Sequence, residues 1–251
     1  MTGPFIAVVA AAGFLAGVIN TVVGSGSLLT FPALLAAGYP PLVANVSNTV
    51  GVLFGSVSGA IGYRRELSGQ MTRLIGLGAF SLAGGLTGAI LLLVLPSAVF
   101  RNVVPVLVLL AVVLVVVQPH LNRLLAHRRH GTGGAVVLRV AVFLTGVYGG
   151  YFGAAQGVLL IGILGILVAD DMQRLNGLKN VLATLVNGVA ALVFVIRAPV
   201  AWEPVLIIAI SGIIGGQVGA HVGRRLPPGP LRAVIVVGGL VVVVKLLLFP
   251  T

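Results

Sequence analysis

Cysteine is absent from the 251 residues, which excludes disulfides and thiolate metal sites. Charge is scarce. Asp, Glu, Lys and Arg together make up 8% of the chain, against about 25% in a soluble domain, and the mean hydropathy is +1.19. A water-soluble globular domain and a disordered chain are both excluded. Acids are rarer still: Glu66, Asp170, Asp171 and Glu203 are the four, and all lie at the ends of apolar segments. A membrane protease or metalloenzyme needs paired carboxylates or a His/Asp cluster inside its spans. Of the histidines, His120, His127 and His130 share one polar stretch and His221 lies near a segment end. No catalytic, metal or cofactor set emerges, and an enzyme is not expected. A cation carrier usually keeps a carboxylate within the membrane, so its absence points to an anionic or neutral solute.

What the chain does contain is long apolar runs. Residues 1–63 carry no charged side chain, and further charge-free runs cover 74–100, 102–122, 140–169 and 180–196. Each is near or above the ~18 to 20 residues that span a bilayer as a helix. Strand alternation is missing, which excludes a membrane barrel. The expected fold is all-α, a polytopic helical membrane protein. The net charge of +11 would suggest nucleic acid in a soluble protein. Here the basic residues sit in short clusters between apolar runs, the pattern of loops on the cytoplasmic face. The opening Met1-Thr2-Gly3-Pro4 lacks a basic stretch and reads as the start of a membrane segment, not a cleaved signal.

The apolar segments form two groups of four. Segments A (5–38), B (42–63), C (74–95) and D (99–118) are followed by a polar stretch, His120 to His130, and then by A′ (136–169), B′ (175–196), C′ (203–223) and D′ (231–249). Prolines 40, 41, 96, 119, 199, 227 and 228 fall at segment ends, where proline tends to stop helices. Landmarks recur in the same order at a nearly constant shift. Gly84-Gly85 and Gly88-Ala89 match Gly215-Gly216 and Gly219-Ala220, Leu15, Gly17, Val18 and Gly24 match Leu144, Gly146, Val147 and Gly153, and Asn48 matches Asn180. The chain therefore reads as a duplication: first repeat 1–119, cytoplasmic linker 120–135, second repeat 136–251.

Segments A and A′ are too long for one span and too short for two. Each has a polar, glycine-bearing interruption, at 20–27 and at 149–157. The part after each interruption reaches only ~18 to 20 Å at 1.5 Å per residue, less than the ~30 Å hydrocarbon thickness. A broken or re-entrant helical hairpin is expected in each. The charges agree. If each A segment returns to its starting side, twelve Lys and Arg lie on one face and only Arg101, Arg197 and Lys245 on the other, a normal positive-inside ratio. Three spanning helices then remain per repeat, and the two repeats lie inverted, the plan of many secondary transporters.

The interruptions are the candidate site. A broken helix frees backbone N–H groups and a positive dipole end that suit an anion. Asn20, Gly24, Ser25, Gly26 and Ser27 provide these features in the first, with Ser27 also placed to cap the following half-helix. Tyr151, Gly153 and Gln156 provide them in the second. The starts of B and B′ add Asn48 and Thr49, and Lys179 and Asn180, with Asn187 a turn or two deeper. Lys179 is either the cation for an oxyanion or a side chain that snorkels to the surface. Gly84, Gly88, Gly215 and Gly219 read instead as small residues that let helices pack closely.

The stretch Gly17-Val18-Ile19-Asn20 … Gly24-Ser25-Gly26-Ser27-Leu28-Leu29-Thr30-Phe31-Pro32-Ala33-Leu34-Leu35, followed by Asn45-Val46-Ser47-Asn48-Thr49 and Gly55-Ser56-Val57-Ser58-Gly59-Ala60, resembles the first signature of the TauE/SafE sulfite exporter family. Gly153 to Gly157 and Leu178-Lys179-Asn180-Val181-Leu182-Ala183 with Asn187 resemble the matching second repeat. The family often has three consecutive glycines where this chain has Gly24-Ser25-Gly26. The resemblance implies a multi-pass plasma-membrane permease for small sulfur-containing anions such as sulfite, thiosulfate or organosulfonates. Alternating access around a midplane site would follow. Expected partners are a small anionic solute and the lipid bilayer, with no nucleic acid; a homo-oligomer is compatible. The competing classes are a passive anion channel and a non-transporting assembly or lipid-handling factor, with the basic Arg123–Arg129 stretch as its lipid surface.

Overall fold

In a chain with so few polar side chains, backbone N–H and C=O groups must satisfy each other within the membrane, which favours helices. The computed structural model describes residues 3–126 and 134–222, with residues 233, 236, 237 and 240. Nine helices are described: α1 (Gly3–Val22), α2 (Ser27–Ala36), α3 (Pro41–Gly62), α4 (Met71–Val94), α5 (Ser97–Ala126), α6 (Ala135–Tyr151), α7 (Gln156–Leu167), α8 (Met172–Arg197) and α9 (Trp202–Val222). Among the described residues there is no strand, and six helices are long and apolar enough to cross a membrane. Most of segment D′, with His127, His130, Arg128, Arg129, Arg224, Arg225, Arg232 and Lys245, lies outside the described residues.

Intramembrane hydroxyls are accommodated on their own helices. Thr21, Thr49, Thr145 and Thr184 each donate to the carbonyl four residues earlier, on Gly17, Asn45, Ala141 and Asn180. This satisfies a polar group without a partner helix. Large apolar side chains face outward over much of the surface, among them Ile75, Val94, Leu192, Leu206 and Ile210, as expected where lipid is the solvent.

Both A segments are interrupted. α1 ends at Val22 and α2 begins at Ser27; α6 ends at Tyr151 and α7 begins at Gln156. The interruptions are shorter than the polar stretches suggest, because Asn20, Thr21 and Gly149 remain helical. In the first, the Gly24 N–H donates to Ile19 O at 2.9 Å, and Gly26 packs against Ala16. The chain therefore reverses and α2 returns alongside α1. One expectation fails here: Ser27 does not cap α2, whose N-cap is Gly26 with no side-chain bond. A second concerns Pro119, which lies inside α5 with Pro105 and does not end it. Helices buried in lipid tolerate proline because neighbouring groups re-satisfy the freed carbonyl. The helix thus continues to Ala126, into the stretch read as linker.

Glycine seams fix which helices touch. Along α1 and α9, Gly13 faces Ile208 and Ser211, Gly17 faces Gly212 and Gly216, and Gly219 faces Val18. Along α4 and α6, Gly84 faces Phe143 and Gly88 faces Val147 and Tyr151. A Cβ at Gly215 or Gly84 would overlap a backbone carbonyl, of Phe14 and Phe143 respectively. These are the close-packing roles expected of Gly84, Gly88, Gly215 and Gly219. The order of contacts gives direction. Numbers rise together along α1 and α9, along α3 and α9 (Gly51 with Ile208, Gly55 with Gly212), and along α4 and α6. They rise together along α4 and α8 as well, from Ser81 with Leu182 to Gly85 with Val189. They run oppositely along α3 and α8, where Ser56 meets Asn187 and Tyr63 meets Gln173. So α1, α3 and α9 point one way, and α4, α6 and α8 the other.

Candidate functional site

The two interruptions meet backbone to backbone. The Gly157 N–H, at the start of α7, donates to Gly24 O at 3.0 Å. Gly24 has φ +92°, a conformation that L side chains rarely adopt, and a Cβ built there would lie 2.5 Å from Gly157 Cα. Glycine is thus required at Gly24 both by conformation and by the approach of the other chain segment. The second interruption uses Gly153 at φ +79° and Ala155 at φ 59°, and the Tyr148 hydroxyl pins it by donating to Ala154 O at 2.6 Å.

Beside this junction is a narrow, nearly closed crevice of about 10 Å³, lined by Asn20, Thr21, Gly24, Ser56, Gly157, Lys179, Asn180 and Ala183. One wall is the carboxyl end of α1, whose last carbonyls have no partner within the helix. They are met from α8. Lys179 Nζ donates to Asn20 O and Thr21 O, both at 3.2 Å, and the Asn176 and Asn180 side-chain amides each reach Thr21 O at 3.3 Å. A cation at the negative end of a helix dipole is favourable. Lys179 is nevertheless 1% exposed, so it does not snorkel to the surface. Among the described residues no carboxylate contacts it. A buried ammonium usually needs a counter-charge; this one has two carbonyls and the crevice.

The opposite wall is α3. Ser56 donates to Val52 O and accepts from Asn20 Nδ2 at 2.9 Å and Asn187 Nδ2 at 3.3 Å. Beyond Gly24 the N–H groups of Ser25, Gly26 and Ser27 have no partner among the described residues, and the buried Ser25 hydroxyl has none either. Both interruptions thus keep unused N–H groups, those of Ala154 and Ala155 in the second, where Gly157 alone donates to Gly24.

Of the residues expected at the site, Asn20, Gly24, Lys179 and Asn180 line the crevice, Asn187 borders it through Ser56, and Ser25, Gly26 and Ser27 follow directly in the chain. The others are engaged elsewhere. Asn48 Oδ1 accepts from Thr30 of α2, and Thr49 bonds its own helix. The Tyr151 carbonyl accepts from Asn45 Nδ2, while its ring meets Phe100 edge-on at 5.7 Å. Gly153 and Gln156 shape the second turn, Gln156 packed against Gly149 with its Nε2 unpartnered. Sequence reasoning missed Thr21, Ser56 and Ala183 as lining residues. A signal existed: residues 176, 180, 183 and 187 recur at helical spacing and form one stripe on α8.

With this geometry in place, the comparisons decide the family. The family model "Sulfite exporter TauE/SafE" matches residues 9–246. The chain belongs to this family. Relatives include the "Probable membrane transporter protein ORF9" of a Sinorhizobium species, 27% identical over 96% of this chain and 91% of the relative. The "Probable membrane transporter protein YfcA" of Escherichia coli K12 is 27% identical over 93% of this chain and 86% of its own. A "Probable membrane transporter protein" of Haemophilus influenzae is 22% identical over 96% and 94%. This TauE/SafE chain is therefore a multi-pass membrane transporter that carries a solute through a lipid environment.

Proposed function

We propose that the chain is a permease for small sulfur-containing anions such as sulfite, thiosulfate or organosulfonates, and that the anion binds beside the Gly24–Gly157 junction. The observation that carries this reading is Lys179, a buried cation on the wall of the crevice with no carboxylate among the described residues. Its bonds to Asn20 O and Thr21 O leave one ammonium N–H free. The unused N–H groups of Ser25, Gly26 and Ser27, and the Ser25 hydroxyl, are further donors at the start of α2, where the helix dipole favours negative charge. An oxyanion accepts from all of these.

Alternating access is the proposed mechanism, with two inverted repeats moving against each other around this site. The opposed directions of α3 and α8, and of the α1–α9 and α4–α6 pairs, support the inversion. We place the protein in the plasma membrane. The face bearing Arg64, Arg65, Arg73, Arg139 and Arg174 is then cytoplasmic, as is the central linker, by the bias of basic residues.

Flux of labelled sulfite, thiosulfate and a short sulfonate into liposomes, with wild type, Lys179→Met and Lys179→Arg, tests the reading. Saturable uptake of at least one of these anions is expected in wild type, with loss in Lys179→Met and partial retention in Lys179→Arg. Undiminished uptake in Lys179→Met would remove the lysine from the site.

A further inference from the structure

A second cleft lies at the basic face, away from the crevice. It is an open cleft of about 420 Å³ between the first turns of α4 and α6, lined by Gln70, Thr72, Arg73, Gly76, Leu138 and Arg139. The transport reading makes no use of it. We propose that it holds the headgroup phosphate of an anionic phospholipid, with the acyl chains running down the α4–α6 seam.

The charge in the cleft is unbalanced. Among the described residues two guanidiniums line it and no acid does. Arg73 Nη1 bonds Asp170 Oδ2 at 2.7 Å, but Arg174 Nε holds the other oxygen of that carboxylate at 2.7 Å. One negative charge thus answers two positive ones. Arg139 is exposed and has no hydrogen bond or ion pair among the described residues. Two arginines that share a cleft present forked donors suited to phosphate oxygens; Thr72 adds a hydroxyl at the same level, and the buried Gln70 steadies Arg73 by accepting from its Nη1 at 3.1 Å.

Depth and lining favour a lipid over a soluble anion. Both helices begin here, so the arginines lie where a span enters the headgroup region. Below them the lining turns apolar, with Gly76, Leu77 and Leu138, and the flanking Met71, Ile75 and Val136 face outward. Basic pockets between membrane helices on the cytoplasmic side are suited to anionic headgroups. A free anion would leave that apolar floor unfilled.

The test uses the full chain purified in detergent, offered equal amounts of phosphatidylglycerol and phosphatidylcholine, with bound lipid counted by native mass spectrometry. Wild type should retain phosphatidylglycerol in preference. Arg139→Gln, which breaks no bond among the described residues, should lower that retention about fivefold, the effect of one basic side chain near an anionic surface. Gly76→Leu should lower retention of both lipids. No atom lies within 4 Å of a Cβ placed at Gly76, so this variant fills the cleft without disturbing the fold. Equal retention of the two lipids by wild type, or wild-type retention by Arg139→Gln, would overturn the assignment. So would inorganic phosphate raising the melting temperature as far as phosphatidylglycerol does.

Discussion

Lys179 and Gly24 show why side-chain identity at the junction is constrained in two different ways. Lys179 is held by chemistry: its ammonium lies over the carbonyls of Asn20 and Thr21, which the end of α1 leaves without helical partners. Gly24 is held by shape, with φ +92° and Gly157 Cα 2.5 Å from any Cβ. A comparison of Gly24→Ala with Gly38→Ala separates conformation from contact. Gly38 has φ +89° but nothing within 4 Å of its Cβ, so its alanine meets only the left-handed backbone cost of about 1–2 kcal/mol. Gly24→Ala adds overlap with backbone atoms that cannot rotate away. It should lower the melting temperature in detergent well beyond Gly38→Ala and abolish transport, while Gly38→Ala transports normally. Equal shifts in the two variants would show that the interruptions do not pack tightly. At this scale the sequence was only partly readable. The glycines and Lys179 stood out by type and spacing. The partners of Lys179 could not, because they are main-chain carbonyls of a segment nearly 160 residues away and carry no side-chain signature.

Among the elements, the interruptions of segments A and A′ were legible because length alone forbade a continuous span. Their ends were less so: polar side chains such as Asn20 and Thr21 stay helical by bonding Ser56 and Gly17. Pro119 misled for a related reason, since lipid-embedded helices absorb a missing N–H that would end a helix in water. The glycine seams were read correctly as packing surfaces, and the structure adds their partners. Gly84 and Gly215 hold matching places, each against the carbonyl of a phenylalanine, Phe143 and Phe14. This predicts matching costs. Gly84→Leu and Gly215→Leu should each push a helix pair apart, with a penalty of about 1–3 kcal/mol or more for overpacking. Gly134→Leu, where no atom lies within 4 Å, should leave the melting temperature nearly unchanged. If Gly84→Leu is tolerated and Gly215→Leu is not, the two seams are unequal and do not share the load.

For the whole molecule, the feature that sequence could not supply is how distant loops join. Asp170, between α7 and α8, binds Arg73 of α4 and Arg174 of α8, while Gln70 donates to Arg174 O at 3.2 Å. The bridge ties the α3–α4 connection of the first half to the α7–α8 connection of the second. Arg174 precedes Lys179 by five residues, about 7.5 Å along the helix, so the bridge lies between the level of the crevice and the basic face. Partial burial pushes the Asp170 carboxyl up, but hydrogen bonds from Arg73, the Asp171 N–H and Arg174 outweigh this and hold it below its ordinary value. The sign follows. A lowered native value means the bridge stabilises fully above the unfolded carboxylate value of about 3.9, and loses that contribution as pH falls through the native one. The melting-temperature difference between wild type and Asp170→Asn should therefore be constant from about pH 8 to 5 and shrink below about pH 4. Accessibility gives an independent reading. The chain has no cysteine, so Ala183→Cys places a single thiol on the crevice wall. Adding Asp170→Asn should speed its modification by a membrane-impermeant maleimide applied to the basic face at pH 7, because the two halves lose their tie there. Equal labelling rates, with a melting difference that persists unchanged at pH 3, would show that Asp170 neither closes this face nor titrates as its partners require.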